Sequence, residues 1–267
     1  MNYKIGFIGA GKMATAITKG IIDSEICESK NIFIYDINDN ALEKIRKDLD
    51  VSPKKSSEEV VSSSDIVIFA VKPFVMRDVL STLKGKFKNE QLIVSIAAGI
   101  STKTIEEYTE KLPVIRVMPN TPAFVKEGMS AVCRGTYAQE KDADTVCEIF
   151  NSLGKAIKEE EKNIDAITAV SGSGPAYFYC FINEFAKAGE KYGLKKDTAL
   201  LLAAQTALGS AKMIMETGIS PEELIRNVTT PGGCTAVGND ILAENNIGEI
   251  IEKVVKGTKD KAHELGK

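Results

Sequence analysis

A short apolar strand that runs straight into Gly9-Ala10-Gly11-Lys12-Met13-Ala14, and from there into a helix, leaves this chain few architectures. Residues 4–8 read as the strand, and Ile17, Ile21 and Ile22 follow at helical spacing. In such a Gly-x-Gly-x-x-Ala turn, Gly9 makes the sharp bend, Gly11 admits a pyrophosphate to the main chain, and Ala14 permits close helix packing. The helix start beyond it offers unpaired N–H groups and a partial positive charge, which suits an anion. A second strand, residues 31–35, ends in Asp36. That carboxylate reads two ways: as acceptor for the hydroxyls of an adenosine ribose, or as cap of the turn over residues 36–39. In the first reading it repels a 2′-phosphate, so NADH is expected over NADPH. Arg46 and Lys47 on the next helix are expected to be solvated.

The alternation continues along the chain. Ser56-Ser57-Glu58-Glu59 is a capping-box pattern opening a short helix. Residues 65–71 are a nearly all-apolar strand of the kind found in a parallel sheet covered on both faces. Lys72-Pro73 closes it and places Lys72 at the carboxyl edge, where ligands of such sheets lie. The strand over 91–96 ends in Ala97-Ala98-Gly99, small enough to let a nicotinamide ribose come near. Another, over 113–118, leads into Pro119-Asn120-Thr121-Pro122. Strands over 128–133 and 155–158 flank a helix near 140–153.

Beyond residue 162 the pattern changes class, with helical periodicity over 165–191, 197–217, 220–227, 235–244 and 247–265. Ser220-Pro221-Glu222-Glu223 combines an N-cap, a helix-opening proline and a reciprocal glutamate. The expected fold is therefore α/β: an N-terminal Rossmann-type doubly wound sheet over 1–162, then an all-α helical dimerisation domain over 163–267. Dimerisation is inferred from the helix over 197–217, where Leu200, Leu201, Leu202, Ala203, Ala204 and Leu208 leave hardly a polar face. Helix against helix in a symmetric dimer is the expectation, and a central core helix within one subunit is the alternative.

Inside the helical half, the stretch from Asn227 to Thr235 reads as a loop that delivers Gly232 and Gly233 to a helix N-terminus, a site fit for a small carboxylate. The plainer reading is a helix start capped by threonine. The net charge of −3 speaks against a general nucleic-acid binder, and no window of about 18 consecutive apolar residues marks a membrane span. The first residues lack a charged-then-apolar secretion pattern, so the expected location is the cytoplasm. Five cysteines without a close pair fit neither a disulfide framework nor a metal site, and they are expected to be reduced packing residues. The single histidine, His263, stands among Lys259, Asp260, Lys261 and Glu264 and is expected to be solvated. Chemistry that needs a buried catalytic histidine is thereby excluded.

Taken together, Gly9-x-Gly11-x-x-Ala14, Ala70-Val71-Lys72-Pro73, Met118-Pro119-Asn120-Thr121-Pro122, the Ser-Gly-Ser-Gly-Pro-Ala-Tyr run from Ser171 to Tyr177 and the Pro-Gly-Gly-Cys-Thr run from Pro231 to Thr235 resemble pyrroline-5-carboxylate reductase. The resemblance covers about residues 3–256. It implies reduction of the C=N bond of 1-pyrroline-5-carboxylate to L-proline by NADH or NADPH, the last step of proline biosynthesis. It also implies that the backbone around Gly232, Gly233, Cys234 and Thr235 holds the substrate carboxylate, and that Thr235 orients the ring nitrogen and relays a proton from water. Glu161 is placed near the substrate, with Glu159 and Glu160 adjoining it as alternatives. The cofactor is expected along Gly9, Gly11, Lys12, Met13, Asp36, Ser57, Val71, Lys72, Pro73, Ala97, Ala98, Asn120 and Asn227. Family members form homodimers through interlocked helices, and many assemble into decamers. Members that prefer NADPH often carry a small polar residue where Asp36 stands, a departure that keeps NADH favoured here.

Two other readings compete. A 3-hydroxyacid dehydrogenase shares this layout but needs a lysine four residues past the last glycine of the helix-opening run. Counting from Gly174 gives Phe178, whose ring cannot take a hydroxyl proton. A non-catalytic nicotinamide-binding regulator would have no need of Thr235 or the glycine loop, and both are present.

Overall fold

The computed structural model describes residues 3–266. In chain order the first half runs β1 (Ile5–Ile8), α1 (Lys12–Asp23), β2 (Ile32–Tyr35), α2 (Asp39–Leu49), β3 (Ser52–Pro53), α3 (Ser57–Ser63), β4 (Ile66–Phe69), α4 (Pro73–Leu83), β5 (Leu92–Ser95), α5 (Thr102–Thr109), β6 (Val114–Met118), β7 (Gly128–Arg134), α6 (Glu140–Asn151) and β8 (Gly154–Glu159). The strands form one sheet in the order β3-β2-β1-β4-β5-β6-β7-β8. Pairing is parallel except between β6 and β7. Ile5 lies opposite both Ile32 and Ile66, and Ile8 opposite both Tyr35 and Phe69, so β1 sits at the point where the crossovers reverse direction.

Both faces of the sheet are covered, which is why its strands are continuous apolar runs. Alternation along each strand sends Ile5, Phe7, Ile66 and Ile68 into a core shared with Ile17 and Ile21 of α1 and Phe150 of α6. Ile8, Val67 and Phe69 enter the opposite core with Met76 and Leu80 of α4 and Ile105 of α5. At the end of β1 the bend is tight. Gly9 has φ +108°, donates its N–H to the Tyr35 carbonyl at 2.8 Å, and would put a Cβ 2.6 Å from the Ala70 oxygen, so only glycine fits.

The chain divides into two compact units. One holds the described residues up to Ser173 together with those from Thr258 onward, and the other is Gly174–Gly257. This division falls beyond residue 162, because the segment after β8 is fastened to the sheet. The Glu161 carboxylate accepts from the Thr102 N–H at 2.9 Å, the Thr102 hydroxyl at 2.6 Å and Arg116 Nη1 at 3.0 Å. Thr102 opens α5 and Arg116 lies on β6, so one carboxylate joins three elements.

The helix expected over 165–191 is broken. It consists of α7 (Ile164–Ile167), a π-helical turn Thr168–Gly172 and α8 (Gly174–Lys191). The Ser173 N–H reaches five residues back, to the Thr168 carbonyl at 2.8 Å. Pro175 has no N–H to offer the Ser171 carbonyl four residues before it, so regular winding cannot pass through this point. Gly172 lies so close to Met118 that a Cβ would meet its methyl at 2.6 Å.

The second unit continues with α9 (Lys196–Thr217), α10 (Pro221–Val228), α11 (Cys234–Glu244) and most of α12 (Ile247–Leu265). No strand occurs after residue 162 among the described residues. Ser220 caps α10 as expected, accepting from the Glu223 N–H at 3.2 Å. Within this unit only Gly174, Ala186 and Ala199 are buried among the described residues. The alternative of α9 as a core helix inside one subunit is therefore not what forms. By length and composition alone α9 is apolar enough to cross a bilayer, and 6% of that window is buried. The last turns of α12 return to the first unit, where the Leu265 carbonyl lies against Gly99 and His263 Nδ1 is 3.2 Å from Asp165 Oδ2. His263 remains largely exposed, as expected, but it has a carboxylate partner.

Replacing Glu161 with alanine strands Arg116, whose side chain is only 8% exposed, without its counter-charge. This variant is expected to lose about 2–4 kcal/mol in urea denaturation, near the lower end of the cost of breaking a buried pair because Glu161 itself is partly solvated. An unchanged midpoint would show that the three-way tie does not hold the segment.

Candidate active site

The carboxyl ends of β1, β2, β4, β5 and β6 bring Gly9, Asp36, Val71, Ala97 and Asn120 to one edge of the sheet. There α1 begins at Gly11 with no side-chain cap and no acidic residue in its first turn. A Cβ built on Gly11 would meet no atom within 4 Å, so the space above this helix start is open. Lys12, the first residue of α1, is exposed, and Met13 packs partly on the core. Ser57 is the first residue of α3, Lys72 the N-cap of α4 and Pro73 its first residue. Ala97 is buried and Ala98 exposed. The capping pattern at α3 is offset by one residue: Ser56 accepts from the Glu59 N–H at 3.2 Å, but Glu59 Oε2 accepts from Lys55 at 3.0 Å.

Asp36 does more than either sequence reading required. Its Oδ1 accepts from the Asn38 N–H at 2.8 Å, which caps its own turn. Its Oδ2 accepts from the Ala10 N–H at 2.6 Å, which ties β2 to the glycine bend. Each carboxylate oxygen retains lone-pair capacity for a hydroxyl donor. Arg46 and Lys47, expected to be solvated, both pair with Glu43, at 2.8 and 3.4 Å. The Arg46 hydrogen bond first, and Lys47 beside it, hold the Glu43 carboxyl down at about 2. The open helix start, the bend and the carboxylate fit a nicotinamide dinucleotide, with pyrophosphate at α1 and ribose at Asp36.

Two expected site residues are already engaged by the protein. All three hydrogen bonds to Glu161 come from Thr102 and Arg116, while its neighbours Glu159 and Glu160 pair with Asn163 and Lys162, each at 2.5 Å. Asn120 accepts from the Met129 N–H at 2.8 Å through Oδ1 and donates through Nδ2 to the Ser171 carbonyl at 3.2 Å. Arg116 escaped the sequence reading although a signal existed: it is the one charge in the otherwise apolar strand over 114–118. Burial, and next the Glu161 carboxylate, push the Cys133 thiol up to about 11, and burial likewise raises Cys27 and Cys147, as packing thiols require.

In the second unit, Asn227 lies exposed in the last turn of α10. Gly232 has φ +72°, and Gly233, not a threonine, occupies the N-cap of α11. Cys234 and Thr235 are the first two helical residues and are exposed. No side chain caps this start either, and no acidic residue stands in its first turn. Thr229 serves locally, donating to the Ile225 carbonyl at 2.6 Å and accepting from Asn239 at 3.0 Å. A cavity of about 390 Å³ near Phe87, Lys88, Tyr108 and Glu110 holds none of these residues. Its loops lead into β5 and β6 at the opposite edge of the sheet, away from the glycine bend and Asp36.

Known proteins divide this chain in a similar way. Residues 161–265 match the family profile described as pyrroline-5-carboxylate reductase dimerisation, and residues 4–99 match NADP oxidoreductase coenzyme F420-dependent. A pyrroline-5-carboxylate reductase of Methanosarcina acetivorans is 40% identical over 267 residues, spanning 100% of this chain and 99% of the relative. One of Arabidopsis thaliana is 39% identical over 264 residues, spanning 99% and 96%. Among solved structures, a pyrroline-5-carboxylate reductase from Coxiella burnetii superposes with a TM-score of 0.95 at 31% identity over 100% of both chains. The Plasmodium falciparum enzyme with NADP bound gives 0.88 at 33% identity, covering 100% of this chain and 99% of that one. At these identities and over this length, the chain belongs to the pyrroline-5-carboxylate reductase family.

Proposed function

We propose that this protein reduces 1-pyrroline-5-carboxylate to L-proline with a reduced nicotinamide cofactor, as the last step of proline biosynthesis in the cytoplasm. One observation carries the reading. The starts of α1 and α11 are each preceded by glycine and left free of side-chain caps and first-turn acids. The first suits a pyrophosphate and the second a small carboxylate, the two anions that the reaction brings together.

A reduced nicotinamide, held by the residues at the carboxyl edge of the sheet, would supply hydride chemistry to an imine carbon that a protonated ring nitrogen makes electrophilic. The protein then needs to orient and to exclude water rather than to provide a strong acid. Backbone N–H groups of Gly232, Cys234 and Thr235 grip the carboxylate, while the Gly233 N–H donates to the Thr230 carbonyl at 2.9 Å and holds the turn that presents them. The Thr235 hydroxyl accepts from the ring N–H and passes protons to and from water, since its own acidity is too weak for it to be the source. Gly9, Gly11, Lys12, Met13, Asp36, Ser57, Val71, Lys72, Pro73, Ala97, Ala98 and Asn227 line the cofactor's path. Asp36 makes NADH the favoured form. The helices of residues 163–267 bind substrate and join two copies into a dimer, from which a decamer assembles.

Oxidation of NADH on addition of pyrroline-5-carboxylate, followed by absorbance, is the direct test, and turnover of 3-hydroxyacids instead would reject the reading. Thr235→Ala is expected to lower kcat/KM by about 1–3 kcal/mol of transition-state stabilisation with the fold intact, and unchanged kinetics would remove Thr235 from the mechanism. Asp36→Ser is expected to raise the ratio of NADPH to NADH efficiency. A ratio that does not move would show that the end of β2 does not select the cofactor.

A further inference from the structure

We propose that Asn120 is a positioning residue for the imine half of the reaction, holding the Ser-Gly-Ser-Gly run in place, rather than a cofactor ligand. The proposal rests on the reductase reading above. Its starting point is an unpaired carbonyl. The run reaches Pro175, which lacks an N–H, so the Ser171 carbonyl has no donor in its usual place four residues ahead. Asn120 Nδ2 supplies one, at 3.2 Å, and lies 3.4 Å from the Ser171 hydroxyl.

The other end of the same side chain is fixed as well. Asn120 Oδ1 accepts from the Met129 N–H at 2.8 Å, so the amide cannot turn without losing both bonds. Met118, two residues before Asn120, lays its terminal methyl against Gly172, where a Cβ would stand 2.6 Å from it and the methyl would have to move. The π-helical turn Thr168–Gly172 is thus anchored just past β6 through Asn120 and packed on the end of β6 through Met118. Turns wound this way cost helix regularity and persist where a local geometry must be kept. What is kept here is the path of residues 171–173 over the carboxyl end of β6.

That location favours the reacting half of the ligands over the adenosine half. In the sheet order, β6 stands two strands beyond β4, while Asp36 ends β2 on the other side of β1. A disturbance at Asn120 therefore reaches residues 171–173 and leaves the glycine bend and Asp36 alone.

Steady-state kinetics of Asn120→Ala, Asn120→Asp and Ser171→Ala test this, with melting temperatures recorded beside them. Asn120→Asp keeps an acceptor for the Met129 N–H and the shape of the side chain, but turns an anion toward the Ser171 carbonyl, so it isolates the lost donor. Both Asn120 variants are expected to lower kcat about tenfold or more and to raise the KM for pyrroline-5-carboxylate. The KM for the dinucleotide should stay within about twofold of wild type, and Ser171→Ala, which retains the carbonyl, should stay near wild type. A rise in the dinucleotide KM with the imine KM unchanged would make Asn120 a cofactor contact and overturn the proposal. So would wild-type kinetics in Asn120→Asp. A wild-type protein that does not turn over the imine at all overturns the reductase reading and this proposal with it.

Discussion

Parallel pairing is the constraint on which the rest depends. Because β1, β2, β4, β5 and β6 run the same way in register, every one of them ends along the same edge, and each crossover must return over a face before the next strand starts. Gly9, Asp36, Lys72, Ala97 and Asn120 are scattered through the first 120 residues and become neighbours only by this rule. The one antiparallel strand obeys it in reverse. β7 starts where β6 ends, and so the Met129 N–H comes within reach of Asn120.

Backbone satisfaction then decides details that hydrophobic pattern leaves open. A parallel α/β sheet has many helix starts, each with unpaired N–H groups. Most starts in the first unit are closed internally: Asn38, Ser56 and Ser101 cap α2, α3 and α5, and Gln139 caps α6. The start of α5 takes a second acceptor, Glu161, from the far side of the chain. α1 is left without such a cap, and its leading residue is a glycine with open space above it. α4 also lacks a side-chain cap, but it opens with Pro73, which has no N–H to leave unpaired, so α1 combines a bare start with a leading glycine.

The Rossmann-type half was legible in the sequence because burial on both faces writes strands as unbroken apolar runs, and because the Gly-x-Gly bend stands directly between strand and helix. Boundaries fell within a residue or two at β1, β2, β5 and β6. What stayed hidden were interactions between residues distant in sequence. No local rule links Arg116 to Glu161 across 45 positions, nor Asn120 to Ser171 across 51. Glutamate beside a ligand loop and asparagine at a strand end look like ligands along the chain, and the fold adds that Glu161 also accepts from Thr102 and Arg116 and that Asn120 also bonds Met129 and Ser171. The break before α8 was missed for a related reason. Glycines and serines ahead of Pro175 fit a helix start as well as a π-turn, and the contacts that accompany the turn come from Met118 and Asn120, at and just past the end of β6.

The helical unit poses the opposite problem, since its elements were legible and its core is absent. Among its described residues only a glycine and two alanines are buried, while Leu201, Phe185 and Met215 are 67, 67 and 66% exposed. Burying one large apolar side chain contributes about 1.5–3 kcal/mol, and ordering a residue costs about as much. A unit of this size with so few buried side chains cannot repay its own ordering. The apolar surface of α8 and α9 must therefore be covered by something outside the single chain, and the dimerisation profile that matches residues 161–265 identifies the kind of surface it is. On this account the first unit is specified by its own sequence, whereas the second acquires a core only on association, so that stability of the helical half is tied to protein concentration.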